Sequence, residues 1–118
     1  MARIKRGVTS HAKHHKLHEM TKGYRMSKHR LVKVAKEAAL HAGEYAFVGR
    51  KLKKRDMRQL WITRINGQLQ HMDLSYSRFI NGLKKANIQI DRKMMAHLVT
   101  RDPEVFKAVV DQAQAHIN

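Results

Sequence analysis

One stretch, Arg50 to Met72, constrains the fold of this chain more than any other. Placed on a helix at about 100° per residue, one of its faces carries Lys51, Lys54, Arg58, Trp61, Ile65, Leu69 and Met72 in alternating steps of three and four. The stripe is unbroken, but its chemistry changes after Arg58. It is cationic before that residue and apolar from Trp61 onward. A helix of this kind lies in two environments: its first half needs a polyanion or water, its second a protein core. Arg50, Lys53 and Arg55 point elsewhere around the same helix, so positive charge surrounds most of the circumference. That pattern suits a helix enclosed by anions better than one lying on a flat surface.

Charge elsewhere follows the same division. Residues 1–60 hold 17 Lys and Arg against 4 acids, whereas residues 61–118 hold 8 against 5. A net charge of +16 on 118 residues makes nucleic acid the leading partner class. The chain has no cysteine, which leaves no disulfide framework and no thiolate metal site. It has no apolar run near the roughly 20 residues of a membrane span. The basic start lacks the apolar segment of a secretion signal, and basic character continues to Arg58, so it reads as mature protein.

In chain order, residues 1–10 read as a basic tail without period. Thr9 or Ser10 is placed to cap a helix over roughly 11–21, with Gly23 as its C′ residue. On that helix His11, His14, His15 and His18 share one face. Such a face suits a metal in principle; with only Glu19 near as a supporting acid, it reads instead as a hydrogen-bonding face laid against phosphate, and no metal or cofactor is assigned. Tyr24, between Lys22 and Arg25 in a turn, is either a platform for a base or ribose or a small hydrophobic anchor. Ser27 is placed to cap a second long helix, whose stripe Leu31, Val34, Ala35, Ala38, Ala39 and Ala42 is too shallow to order the arm alone. Residues 1–58 are therefore expected to be mobile when unbound and helical on a polyanion.

Beyond Trp61 the signals turn globular. Asn66-Gly67 could form a turn, but its flanks keep helical period and the helix is read through it. Ser75 caps a helix with Tyr76, Phe79, Ile80 and Leu83 inward, and Asp91 caps one with Met94, Met95, Leu98 and Val99 inward. Asp102-Pro103-Glu104 is the clearest helix start in the chain, followed by an inward face of Phe106, Val109, Val110, Ala113 and Ile117. Trp61, Ile65 and Leu69 are expected to pack on Phe79, Leu83 and Phe106, the alternative for Trp61 being a stack on nucleic acid. The fold class is all-α: a long basic helical extension over residues 1–58, then a small helical domain over 59–118.

Several stretches carry a resemblance. They are Lys22-Gly23-Tyr24-Arg25; Ala42-Gly43-Glu44-Tyr45-Ala46-Phe47 with Arg50; Lys53-Lys54-Arg55; and Arg58-Gln59-Leu60-Trp61-Ile62 leading to Arg64-Ile65-Asn66. To these add the run from Tyr76-Ser77-Arg78-Phe79 to Lys84-Lys85-Ala86, and Ile90-Asp91-Arg92-Lys93. In these stretches, which cover nearly the whole chain in order, it resembles the L-twenty family of bacterial large-subunit ribosomal proteins. The resemblance implies a cytoplasmic, ribosome-bound protein whose helical arm threads into large-subunit (23S) rRNA and whose helical domain sits on the RNA surface. It also implies a role in early subunit assembly, with neighbouring ribosomal proteins as partners, no catalysis and no membrane. In some members the globular domain is implicated in repressing its own mRNA. Two departures stand out: histidines occupy places in the first helix where the family usually has arginine, and Met26 stands where glycine is common.

The residues expected on rRNA in the arm are Arg3, Lys5, Arg6, Lys13, Lys16, Lys22, Tyr24, Arg25, Lys28, Arg30 and Lys33. In the organising stretch they are Arg50, Lys51, Lys53, Lys54, Arg55, Arg58 and Arg64, and in the domain Lys84, Lys85, Arg92 and Lys93. Most should touch phosphate, which positions a protein without reading bases. An enzyme is disfavoured, since the chain lacks nucleotide-binding glycine motifs and its nine carboxylates are scattered. An architectural DNA-binding protein is the rival reading; against it, the cations surround a helix rather than concentrating on one recognition face. A membrane-active peptide would need a broad opposing apolar face, which is missing.

Overall fold

The structure is a computed structural model describing residues 3–117, so the part of the basic tail formed by Met1 and Ala2 lies outside the described residues. Among the described residues the regular elements are helices alone: α1 (Gly7–Met20), a 3₁₀ turn (Met26–His29), α2 (Val32–Gln70), α3 (Tyr76–Lys85), α4 (Arg92–Arg101) and α5 (Pro103–Ala115). The all-α expectation holds. Backbone contacts divide the chain into two compact units, the first ending at Lys51 and the second starting at Leu52, inside α2.

In the first unit, α1 starts earlier than residue spacing indicates. Its N-cap position is Arg6, and Thr9 and Ser10 lie inside the helix, where the Ser10 N–H and the Thr9 hydroxyl both donate to the Arg6 carbonyl at 3.0 Å. Residues 7–10 are therefore helix rather than tail. Gly23 does adopt a left-handed φ of +79°, but two residues past the Thr21 cap, in a turn closed by the Tyr24 N–H on the Thr21 carbonyl (3.1 Å). Ser27 does not cap α2: it lies in the 3₁₀ turn, and its carbonyl accepts from Arg30 and Leu31. Little is buried in this unit. Thr21 and Ala35 are fully enclosed, Val34, Ala38 and Ala39 are half-buried, and Leu31 and Ala42 of the expected stripe are exposed. These residues are helical here, held by local hydrogen bonds and a very small contact surface.

The second unit has a core. Ile65 and Leu69 from α2 join Leu74, Phe79 and Leu83, then Met95 and Ala96, then Phe106, Val110 and Ala113. Each large side chain so enclosed contributes about 1.5–3 kcal/mol. Phe79 and Phe106 meet at 5.9 Å between ring centroids with their planes tilted by 58°, within the range favoured by aromatic pairs. Trp61 packs at the rim of this cluster, half-buried. In α4 the inward face differs from expectation: Met94 is 54% exposed and the small Ala96 is buried in its stead. α4 and α5 both pack along one another, and α3 packs on α5.

Helix ends in this unit are set by named groups. α2 runs through Asn66-Gly67 to Gln70, leaving Met72 just beyond the helix. There the Leu74 N–H returns to the Leu69 carbonyl (3.1 Å) and the Asp73 N–H to that of Gln70 (3.3 Å), with Asp73 at φ +52°. α3 ends the same way, with Ile88 on Leu83 (2.9 Å), Asn87 on Lys84 (3.2 Å), and Asn87 at φ +55°. Both are Schellman motifs with an apolar contact across the turn, and short polar Asp and Asn tolerate the left-handed position better than most residues. Asp91 caps α4, its Oδ1 accepting from the Met94 N–H at 2.7 Å. Ser75 and Asp102 occupy cap positions without a side-chain cap bond. The Asp102 backbone serves both neighbours: its N–H closes α4 on Leu98 and its carbonyl accepts from Phe106 in α5.

Candidate nucleic-acid interface

Every residue from Leu40 to Leu60 is exposed, including Arg50, Lys51, Lys53, Lys54, Arg55 and Arg58. The stretch is helical throughout, so its cations project at 100° intervals around the axis rather than along one side. Among the described residues, no Lys or Arg lies within 4.0 Å of a carboxylate; the only acid–base contact is His15 Nδ1 to Glu19 Oε1 at 3.9 Å. Internal ion pairs thus leave this charge uncompensated. Lys51 does rest its ammonium 4.3 Å from the centre of the Phe47 ring, which steadies the side chain while leaving its charge available.

In the second unit the basic half of the stripe meets the start of α4. Lys53, Lys54, Arg55, Met57, Arg58 and Trp61 on α2 face Asp91, Arg92 and Lys93 across a groove of about 680 Å³. Arg92 is held there by its neighbour on α3, its Nε donating to the Tyr76 hydroxyl at 3.0 Å. Asp91, fixed by the α4 cap bond, is the single carboxylate in the groove. Of the four domain cations singled out from sequence, Arg92 and Lys93 join the α2 cations here. Lys84 and Lys85, at the last turn of α3, do not line the groove, and Lys85 Nζ donates to the Ile117 carbonyl at 3.5 Å. Arg64 is exposed on α2. The groove's composition was not readable from spacing, because it joins residues about 30 positions apart; the Tyr76–Arg92 bond left no sequence signal either.

In the first unit the arm cations are exposed: Arg3, Lys5, Arg6, Lys13 and Lys16 on or before α1, and Lys22, Arg25, Lys28, Arg30 and Lys33 around the turn and the start of α2. Tyr24 is half-buried, and its carbonyl accepts from His29 Nδ1 at 3.0 Å. The four-histidine face of α1 is split. His15 and His18 line a hollow of about 260 Å³ with Glu19, Lys22, Gly23 and His29, while His11 and His14 lie outside it. Among the described residues these groups do not converge as a metal-ligand set. Met26, where glycine was noted as common, has φ +59°, a backbone conformation that costs a side chain with a Cβ. That gives the glycine preference a physical reason.

Fold and surface together define a class: small all-helical proteins with a modest core and a dense field of unpaired cations on exposed helix. The chain belongs to the family described as Ribosomal protein L20, whose model matches residues 3–109. It is 49% identical over 115 residues to the large ribosomal subunit protein bL20 of Afipia carboxidovorans, covering 98% of this chain and 97% of that one. The bL20 proteins of Legionella pneumophila (strain Corby) and Burkholderia ambifaria (strain MC40-6) are 50% and 47% identical, with 98% and 99% of this chain covered and 97% and 98% of theirs. No helix is long and apolar enough to cross a membrane among the described residues.

Proposed function

We propose that this protein is a structural component of the bacterial large ribosomal subunit, working in the cytoplasm as part of the ribosome. In this reading it binds 23S rRNA directly, supports early subunit assembly, and takes no catalytic part in protein synthesis. The observation that carries the reading is the exposed array of cations on α2 from Arg50 to Arg58, none of which lies within 4.0 Å of a carboxylate among the described residues. A surface of this kind exchanges condensed counterions for protein cations when it meets a phosphate backbone, and that exchange drives binding. Membership in a family of ribosomal proteins makes rRNA the expected polyanion.

Labour divides along the chain. Residues 1–58 act as the rRNA-threading extension, supplying most of the charge and most of the affinity. Residues 59–118 act as the globular part, which adds a shape-dependent contact through Arg92 and Lys93. Neighbouring large-subunit proteins and the protein's own mRNA are the further partners this reading allows. Competition binding tests it, using 23S rRNA, an unrelated structured RNA and duplex DNA at several salt concentrations. A preference for 23S rRNA that survives physiological salt supports the reading. Equal or better binding to duplex DNA favours the architectural DNA-binding alternative.

A further inference from the structure

Resting on the rRNA-binding reading, we propose that the groove between α2 and the start of α4 is a pocket for one unpaired nucleotide, its base stacked on Trp61. Three observations converge. The groove combines a half-buried indole with six cations, Lys53, Lys54, Arg55, Arg58, Arg92 and Lys93, on two of its sides. Its volume of about 680 Å³ falls inside the range of about 300–1,000 Å³ typical of small-ligand sites. One carboxylate, Asp91, is fixed among the cations by its bond to the Met94 N–H.

Among these features the indole selects against a paired segment. Bases inside a duplex have their faces covered by neighbours, so only a bulged or loop base can lay a face on an indole. Phosphates on either side of such a nucleotide are matched by the α2 cations and by Arg92 and Lys93. Asp91 would repel a further phosphate placed beside it, but it accepts hydrogen bonds from base N–H groups or a 2′-hydroxyl. Arg92 is oriented by Tyr76 before any ligand arrives, so the pocket is partly built in advance. The surrounding cations attract RNA of any sequence; the indole distinguishes an unpaired base from a paired one.

Trp61 is the sole tryptophan, so tryptophan fluorescence, excited at a wavelength that tyrosine does not absorb, reports on this pocket in the full-length protein. Two RNA hairpins serve as probes, one fully paired and one identical except for a single-nucleotide bulge. Both should bind, and only the bulged hairpin should quench Trp61 strongly and bind more tightly. Trp61→Leu should remove the bulge preference, a loss of about 5- to 150-fold in affinity for that hairpin, while leaving binding of the paired hairpin nearly unchanged. Trp61→Phe, which keeps an aromatic face and an apolar rim to the core, should retain most of the preference. Equal quenching and equal affinity for the two hairpins would overturn the pocket while leaving the rRNA-binding reading intact. Binding of neither hairpin would overturn both.

Discussion

The bare Cα of Gly82 on α3 lies against the backbone of Ala113 on α5: a Cβ there would overlap the Ala113 carbonyl oxygen and come within 2.9 Å of Ile117 Cγ1. Glycine inside a helix ordinarily costs about 1 kcal/mol relative to alanine. Here it permits the close α3–α5 contact around which Phe79, Leu83 and Phe106 pack. Gly82→Ala should therefore destabilise the protein by about 1–3 kcal/mol, the range for overpacking a filled core, despite alanine's better helix propensity. Thermal denaturation checks this. A raised melting temperature would mean that α3 and α5 can separate without cost.

Met26 offers the opposite case. Its left-handed φ of +59° is held while its side chain is 85% exposed and packs on little. Met26→Gly should stabilise the 3₁₀ turn by about 1 kcal/mol, which slows amide exchange about fivefold in a local opening. The amides to watch are those of Arg30 and Leu31, which bond to the Ser27 carbonyl. Unchanged or faster exchange would show that the methionine makes a compensating contact.

Tyr76 links the core to the groove through its hydroxyl bond to Arg92. Tyr76→Phe keeps the ring and removes the bond, so stability should fall by only about 0.5–1.5 kcal/mol. RNA affinity should drop a few-fold as Arg92 loses its set orientation. Restoration of full affinity in Tyr76→Phe at low salt alone would also fit, because steering by charge remains. A loss of stability with no change in affinity at any salt would separate Tyr76 from the interface.

How much could be read in advance depended on how local each signal was. The starts of α4 and α5 followed from Asp91 and from Pro103, residues whose effect lies within one helical turn. The continuity of α2 through Asn66-Gly67 followed from Ile65 and Leu69, which keep the core stripe in register on both sides. Features set by packing were not legible. Ala96 rather than Met94 is buried because the rotation at which α4 docks decides which side of the helix faces the core, and hydrophobicity alone ranks the two the other way. α1 begins at Gly7 although no capping side chain announces it. The site was legible as a cationic helix face, but its union with Arg92 and Lys93 depends on how α4 docks in the second unit.

The two parts of the chain should also separate by stability. Among the described residues, all the large buried core side chains lie from Ile65 onward, whereas Thr21 and Ala35 are the enclosed residues of the first unit. A fragment of residues 58–118 should melt cooperatively on its own. Residues 1–58 alone should show little helicity by circular dichroism and gain it on adding a polyanion, since so small a contact surface does not offset the ordering entropy. Strong helicity of the isolated arm without a polyanion would contradict this.

If the cations of α2 hold rRNA through its phosphates, as proposed, the affinity must depend on salt through those side chains. The measurement compares the slope of log affinity against log salt for the natural protein and for Lys53→Ala/Lys54→Ala/Arg58→Ala on the same 23S rRNA fragment. Each lost phosphate contact should flatten the slope by roughly 0.7–0.9, so the triple variant should lose about 2–3 in slope and bind more weakly at every salt concentration. An unchanged slope would contradict the account, because those side chains would then not be the ones that meet the backbone.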